Sequence, residues 1–150
     1  MQEWYFDDIP MNQPMTSKEY VVPEDELIAF AKKWDPQPMH TDREAAEASP
    51  HGGLIAPATY TLAVASALAN QNEVATRTVV IGGTEWKARF LQPVRPGDHL
   101  VATSECVSKR VSRTKADRGI AQFTTTLQNQ KGAIVLELEC TLVVSRRNDG

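Results

Sequence analysis

The sequence predicts a single α+β domain in which an antiparallel sheet curls around one buried helix. The stretch "LIAPATYTLAVASALAN" after Gly53 is apolar on nearly every helical face, which is typical of a helix surrounded by other elements. After residue 78 the hydrophobic pattern changes to a period of two, most clearly in "IVLELECTLVV" at 134–144. A long sheet with a single all-apolar helix can bury that helix only by curling around it.

The size and charge of the chain narrow the classes of function. Its 150 residues suit one domain of ordinary size, so we treat 1–150 as a single unit. With 41% hydrophobic and 23% charged residues, the composition is that of a globular protein. A formal net charge of -3 provides no global positive field. We therefore expect neither nucleic acid nor an anionic membrane surface as the main partner.

The N-terminus and the cysteines indicate the compartment. The segment "MQEWYFDDIPMNQ" lacks the basic region and apolar run of a signal peptide, so we expect a cytoplasmic protein. Cys106 and Cys140 fall within strand-like patterns and have no metal-ligand spacing. We expect them to be reduced thiols in the core.

The first third of the chain is expected to contain an arm and a helix. Residues 1–18 are polar and interrupted by prolines, which is typical of an N-terminal arm or a first edge strand. Pro23 in a first helical position, followed by two acidic residues, predicts a helix that ends at Trp34.

Two further helix starts follow. A capping box of Thr41 and Glu44 predicts a helix that begins just after His40. Gly52 and Gly53 precede the apolar stretch, and we expect them at the N-terminus of the buried helix, with Pro57 in its first turn.

The second half is expected to form the sheet. About five strands are predicted, separated by the turn signals "GG", "RPGD" and "QKG". They cover about 79–81, 86–91, 100–107, 120–127 and 134–144.

Three motifs, "WDPQPMHTDREAA", "HGGLIA" and "PVRPGD", occur in this order along the chain. Together they resemble the MaoC-like dehydratases and (R)-specific enoyl-CoA hydratases of the hot-dog fold, from about Met15 to Arg146. The family signature reads roughly G-D-x-N-P-[LIV]-H, and Asp35, Pro38 and His40 match it. The positions that depart from it are Trp34, Gln37 and Met39.

The resemblance implies a fold, an assembly and a substrate. These are a helix wrapped in a sheet, a homodimer or a dimer of dimers, and a thioester of coenzyme A or of an acyl carrier protein. It implies no metal or redox cofactor, because coenzyme A or pantetheine enters only as part of the substrate. The activity that it implies is interconversion of trans-2-enoyl and (R)-3-hydroxyacyl thioesters.

This reaction requires two groups that handle protons and contact one water, because the water loses a proton as it attacks and the α-carbon gains one. A carboxylate and an imidazole suit the task near neutral pH, and we assign it to Asp35 and His40. Without the other motifs, the simpler interpretation would be an aspartate that caps a turn and a histidine that fills a niche.

The remaining candidates concern substrate binding. The Gly53 amide, with Gly52 as the alternative, is expected to polarise the thioester carbonyl, since glycine allows close approach. A plain turn is the other interpretation of these two glycines. Leu54, Thr59 and Tyr60 are candidates to line the acyl site, although the last two equally fit core residues with satisfied hydroxyls.

A basic run between 109 and 118 includes Arg113 and Lys115, which are candidates to hold the phosphates of coenzyme A or pantetheine. A solvated hairpin is the alternative for this run. His51 is expected to be structural or to line a pocket, because it lacks the further ligands of a metal site.

Two other functions remain open. A hot-dog thioesterase would use the carboxylate to activate water against the thioester carbonyl itself. A non-catalytic dimeric module would bind acyl carriers or serve in assembly.

Overall fold

A computed structural model describes residues 1–148 and contains six helical segments. They are a 3₁₀ turn at Phe6–Asp8, α1 at Glu24–Trp34, α2 at Pro38–Thr41, α3 at Arg43–Ala48, α4 at Ala58–Ala69 and α5 at Glu73–Arg77. None of the helices within 1–148 is both long enough and apolar enough to cross a bilayer.

Six antiparallel strands form one sheet, which confirms the α+β prediction. The order across the sheet is β1-β4-β5-β6-β3, and β2 also pairs with β4. The strands are β1 at Met15–Thr16, β2 at Tyr20–Val21, β3 at Val80–Phe90, β4 at His99–Val111, β5 at Arg118–Gln128 and β6 at Ile134–Ser145.

Helix α4 packs on one face of this sheet and forms the main core. Val64 and Leu68 of the helix belong to the same buried cluster as Leu100 of β4 and Leu127 of β5. The helix is not covered on every side, because Ala63 and Ala67 are exposed. An exposed alanine methyl costs little, so the apolar pattern overstated how completely this helix is buried.

The turn predicted at "GG" is wrong. Gly82 and Gly83 lie inside the continuous strand β3, where its pairing with β6 shifts register. Glycine within a strand often marks a bulge rather than a turn, and the two short strands predicted here are therefore one.

The helix starts also differ from the sequence prediction. His40 lies inside the short helix α2, not before a helix. The N-cap of α3 is Asp42, whose side chain accepts the Ala45 amide at 3.1 Å. Thr41 instead donates its hydroxyl to the Gln37 carbonyl, so the Thr41–Glu44 capping box is wrong. An adjacent aspartate is an equally good cap, and it competes successfully.

The expected position of the glycine pair is wrong as well. Helix α4 begins at Ala58 with Pro57 as its N-cap, so Gly52 and Gly53 lie in the preceding loop and not at the helix terminus. Proline favours the first positions of a helix, and here it marks where α4 can start. At α1 the difference is one residue, since the helix begins at Glu24 and Pro23 is its N-cap.

The N-terminal segment packs against the sheet and forms a second core. Phe6 and Ile9 form a second buried cluster with Cys106 and Val144. The Lys109 ammonium donates to the Phe6 carbonyl at 3.0 Å and to the Ile9 carbonyl at 2.9 Å. Within this segment, β1 pairs with β4 at the sheet edge.

Strand β3 forms the other edge of the sheet. It pairs with β6 on one side, and within 1–148 no strand pairs with its other side. Its exposed large side chains include Val80, Ile81, Trp86 and Phe90. A long, apolar, unpaired edge strand is a usual place for pairing with a strand of another chain.

Candidate functional site

The Asp35–His40 loop is built by the end of α1 and two prolines. Asp35 is the C-cap of α1, and its amide donates to the Ala31 carbonyl at 2.8 Å. Gln37 has φ -73° and ψ 143°, the extended geometry expected before a proline. Pro38 then opens α2, and one turn of this helix carries His40 back toward Asp35.

Asp35 and His40 face each other in the structure. Asp35 Oδ2 lies 3.6 Å from His40 Nε2. The His40 side chain is 6% exposed and that of Asp35 is 30% exposed, so the pair is reached from the side of the carboxylate.

The other ring nitrogen of His40 is fixed by a main-chain group. Nδ1 lies 2.7 Å from the carbonyl oxygen of Ile55. A carbonyl oxygen can only accept, so Nδ1 carries the hydrogen and Nε2 of the neutral ring presents a lone pair. That lone pair and the carboxylate are both acceptors, and 3.6 Å is too long for a direct hydrogen bond. A molecule that donates to both, such as water, satisfies this geometry.

The second carboxylate oxygen of Asp35 is held by Gln37, which in the sequence is only a departure from the family signature. Gln37 Nε2 donates to Asp35 Oδ1 at 2.9 Å. This bond leaves Oδ2 for the His40 side. The close spacing of Gln37 and Asp35 across Pro36 was the available signal, because a side-chain amide can reach back to an acid two residues away.

Backbone hydrogen bonds join the three sequence motifs. The Ile55 amide donates to the Met39 carbonyl at 3.2 Å, and the Ala56 amide donates to the Val94 carbonyl at 2.7 Å. Residues from "WDPQPMH", "HGGLIA" and "PVRPGD" thus meet at the start of α4. The last motif ends in Asp98, whose Oδ2 accepts the Arg95 amide at 2.8 Å and stabilises the turn into β4.

The two glycines differ in what their amides can do. Gly52 has φ +69°, and its amide already donates to the Ser49 carbonyl at 3.0 Å. The Gly53 amide has no acceptor within 1–148. A Cβ at position 53 would lie 3.2 Å from Arg95 Nη1, and Arg95 in turn donates to the His51 carbonyl at 2.6 Å.

Leu54 is buried and, with Gly53 and Arg95, borders an open cavity of about 440 Å³. His51 is exposed, and its backbone carbonyl accepts from Arg95. Within residues 1–148 no three His, Cys, Asp or Glu side chains are grouped closely enough to share a metal ion.

Thr59 and Tyr60 point in different directions. Thr59 is exposed, whereas Tyr60 is buried with its ring edge-on to Phe30 at 5.5 Å between centroids. The Tyr60 hydroxyl donates to Glu26 Oε2 at 3.1 Å. Burial, together with the Glu26 carboxylate, raises the pKa of Tyr60 above its usual value. These contacts match the core alternative for Tyr60, in which it locks α1 against α4.

Arg113 and Lys115 lie far from Asp35 and His40 within one chain. They belong to the hairpin that follows the last residue of β4. The "PVRPGD" loop contacts Ala56, near the Asp35–His40 pair, and leads into the first residue of β4. A strand of 13 residues spans roughly 40 Å, so the two groups are at opposite ends of the sheet.

The amides at the true start of α4 are further candidate donors that were not predicted from the sequence. The Ala58 and Thr59 amides have no acceptor within 1–148. Ala58 borders a cavity of about 230 Å³ together with Ile55, the residue that holds His40, and with Phe90 of β3. The proline in "LIAPA" could have indicated this start, because proline is favoured where helices begin.

Comparison with known proteins gives the family. Residues 6–128 match the MaoC like domain. A MaoC-like dehydratase from Rhodospirillum rubrum superimposes with a TM-score of 0.84 at 29% sequence identity, over 96% of this chain and 98% of that chain. The uncharacterized protein YdeM of Bacillus subtilis (strain 168) is 29% identical over 140 residues, which cover 93% of this chain and 98% of YdeM.

A more distant structure agrees in architecture. An (R)-hydratase from A. caviae involved in PHA biosynthesis superimposes with a TM-score of 0.71 at 23% identity, over 93% of this chain and 98% of that chain. At this identity the likeness shows a common fold, and that fold is the hot-dog fold. The chain therefore belongs to the MaoC-like domain family, a family of dehydratases and hydratases.

Proposed function

We propose that this protein interconverts trans-2-enoyl thioesters and (R)-3-hydroxyacyl thioesters by adding or removing water. The observation that carries the proposal is the pair of acceptors, Asp35 Oδ2 and His40 Nε2, 3.6 Å apart with Nδ1 held by the Ile55 carbonyl. The pair is suited to bind one water by both of its hydrogens.

In the hydration direction, the water oxygen bonds to the β-carbon as one O–H bond breaks. The proton passes to the Asp35–His40 pair, and a proton from the pair reaches the α-carbon, so both groups end in their starting state. Dehydration follows the same steps in reverse. Since Gln37 holds Oδ1, Oδ2 is the Asp35 atom that we assign to the water.

The carbonyl oxygen of the thioester gains negative charge when water attacks, and amide donors stabilise that charge. We assign this task to the Gly53 amide, supported by its lack of an acceptor within 1–148. The Gly52 amide is a weaker candidate because it is engaged with Ser49. We assign the Ala58 amide as a second donor, since it has no acceptor within 1–148 and Ala58 borders the cavity that Ile55 also borders.

The proposed substrate is an acyl thioester of coenzyme A or of an acyl carrier protein. The mechanism uses no metal or redox cofactor, and coenzyme A or pantetheine takes part only as a portion of the substrate. The fold shared with the A. caviae (R)-hydratase supports this substrate class by analogy. Leu54 and Thr59 remain candidates for contact with the substrate near Gly53 and Ala58.

We propose further that the protein is a homodimer, or a dimer of dimers, joined through β3. Two copies of this unpaired edge can pair antiparallel about a two-fold axis and merge their sheets. Antiparallel pairing sets the Val80 end of one β3 beside the Phe90 end of the other. The basic hairpin of one protomer then extends toward the Asp35 end of its partner, and we assign Arg113 and Lys115 to holding phosphates across the dimer.

The proposal is tested by mixing the protein with a short trans-2-enoyl-CoA and following the conjugated absorbance and free thiol separately. Loss of absorbance without thiol, with an (R)-3-hydroxyacyl product on chiral separation, is the expected result. Thiol release would instead indicate a thioesterase. Asp35→Asn and His40→Ala should each lower kcat by about 100-fold or more.

The matched control is Asp25→Asn, which removes an exposed acid from the same helix α1. If the wild-type protein shows no turnover, or if both site variants keep it, the chain is not this enzyme, and a non-catalytic module that binds acyl carriers becomes the better account.

A further inference from the structure

The loop at 51–56 carries two main-chain groups that the proposed reaction uses. The Gly53 amide has no acceptor within 1–148, and the Ile55 carbonyl holds Nδ1 of His40. Neither group belongs to a side chain, so the direction in which each points depends on how the loop is held. The contacts that fix this loop therefore decide whether the amide and the imidazole face the same substrate.

One side chain, Arg95, holds the beginning of this loop. Arg95 Nη2 donates to the His51 carbonyl at 2.6 Å. At the other end of the loop, the Ala56 amide donates at 2.7 Å to the carbonyl of Val94, the residue before Arg95. The residues between these two hydrogen bonds are thus attached at both ends to one short segment of the chain.

The Arg95 guanidinium also lies against Gly53. A Cβ at position 53 would be 3.2 Å from Arg95 Nη1, a tighter contact than a side chain normally makes. Gly53 does not have a positive φ, so the backbone conformation does not require glycine at this position. The close approach of Arg95 is what favours glycine here.

Arg95 is itself placed by a buried turn. Asp98, which is 9% exposed, accepts the Arg95 amide at 2.8 Å with Oδ2 and the Gln130 side-chain amide at 3.0 Å with Oδ1. Gly97 has φ +82°, and its amide donates to the Val22 carbonyl at 2.8 Å. A planar guanidinium on a fixed backbone loses little conformational entropy when it forms a hydrogen bond, so it is well suited to hold a loop.

We infer that Arg95 is a positioning residue for the reaction. It holds the His51 carbonyl and lies against Gly53, and by these contacts it keeps the Gly53 amide directed at the thioester oxygen and the Ile55 carbonyl directed at His40. The inference rests on the proposed hydratase function. Loss of Arg95 should lower kcat and leave KM nearly unchanged, because the interactions that are lost act mainly in the transition state.

Hydration of crotonyl-CoA by the whole protein tests this role. Arg95→Met keeps the aliphatic part of the side chain and removes every donor, and kcat should fall by about tenfold to 100-fold. Arg95→Lys retains a cationic donor and should recover part of the loss. The matched control is Arg43→Met, which removes an arginine from the border of the same cavity. Arg43 pairs with Glu24 and not with the loop, so this variant should keep its kcat.

A double-mutant cycle tests the contact with Gly53. In the wild-type protein, Gly53→Ala should lower kcat by about tenfold, because the added methyl displaces the loop from the guanidinium. In an Arg95→Ala background, the same substitution should have little further effect, since no guanidinium remains to be displaced. Effects that multiply in the double variant would show that the two residues act independently.

Amide NMR of protein labelled with ¹⁵N-glycine separates a failure of this inference from a failure of the proposed function. In Arg95→Met the Gly53 signal should move, while the signals of Gly82 in β3 and Gly119 in β5 stay in place and report that the variant is folded. If wild-type protein does not hydrate crotonyl-CoA, the proposed function fails, and the Gly53 signal still shows whether Arg95 holds the loop.

Three other results would overturn the inference. One is a Gly53 signal that does not respond to Arg95→Met. Another is a rise in KM without a fall in kcat, which would make Arg95 a contact for the substrate. The third is an equal loss of kcat in Arg43→Met, which would assign the effect to the charge of the cavity and not to the loop contact.

Discussion

At the scale of single residues, the candidate site depends on groups that fix the orientation of other groups. The Ile55 carbonyl determines which nitrogen of His40 carries hydrogen, and the Gln37 amide determines which oxygen of Asp35 is free. Neither contact belongs to the residues that would handle protons. Both decide whether those residues face a common molecule with the required tautomer and orientation.

Gln37→Met should therefore lower kcat with little change in KM. The substitution keeps the side-chain length and removes the amide that holds Asp35 Oδ1, so Asp35 becomes freer to turn. We expect a loss of about tenfold, the value for one hydrogen bond to a charged group. Gln13→Met, at an exposed position of the N-terminal segment, is the control. A rise in KM alone would show that Gln37 binds substrate rather than orienting Asp35.

The Ala58 amide can be removed without disturbing the helix. Proline is well tolerated at the first helical position, so Ala58→Pro should keep the thermal unfolding midpoint near its wild-type value. If this amide stabilises the thioester oxygen, kcat falls by about tenfold to 1000-fold. Ala67→Ser, at an exposed position of the same helix, leaves the backbone amides in place and serves as the control. Full activity of Ala58→Pro would leave Gly53 as the donor.

At the scale of elements, the N-terminal segment is held by close packing as well as by charge. The Phe6 ring lies against Gly119 of β5 so closely that a Cβ at position 119 would overlap it. Glycine is thus required here by the approach of another segment and not by backbone geometry.

Gly119→Ala should destabilise the fold by about 1–3 kcal/mol, because the added methyl must displace the Phe6 ring. Urea unfolding measures the change. In a Phe6→Ala background the same substitution should leave the free energy of unfolding almost unchanged, since no ring remains to be displaced. Equal costs in both backgrounds would mean that the strand itself, and not the segment packed on it, rejects a side chain.

The helices and strands also show how much of the fold can be predicted from the sequence. The buried helix, the alternating strands and the Asp35–His40 loop were predictable, because each depends on local spacing or on proline geometry. The start of α4 was not resolved, because the apolar run in "LIAPATY" is continuous across the boundary and only the backbone bonds of Ile55 and Ala56 show where the loop ends. The register shifts on either side of Gly82 and Gly83 depend on pairing with β6, which is distant in sequence.

At the scale of the whole molecule, β3 is the feature that a single chain leaves incomplete. The apolar side chains along this edge are exposed. Within 1–148, β5 and β6 are paired along both sides, and the outer side of β4 pairs with the short strands β1 and β2. Pairing with a second copy would cover the edge and prevent further strands from adding to it.

Phe90→Lys should therefore convert a dimer into a monomer at micromolar concentrations, because it places a charge within the proposed interface. Light scattering after size-exclusion chromatography measures the mass. Val107→Lys introduces the same charge at a similarly exposed position on β4 and should leave the mass unchanged. A wild-type protein that is monomeric at high concentration would refute assembly through β3.

The contact between His40 and Ile55 has a consequence for tolerance to substitution. The group that sets the imidazole tautomer is a peptide oxygen, which every residue type possesses. Amino-acid replacements at position 55 can therefore change the bulk of the side chain while the chemical identity of this acceptor is preserved. Only a shift of the main chain would alter the hydrogen carried by the ring.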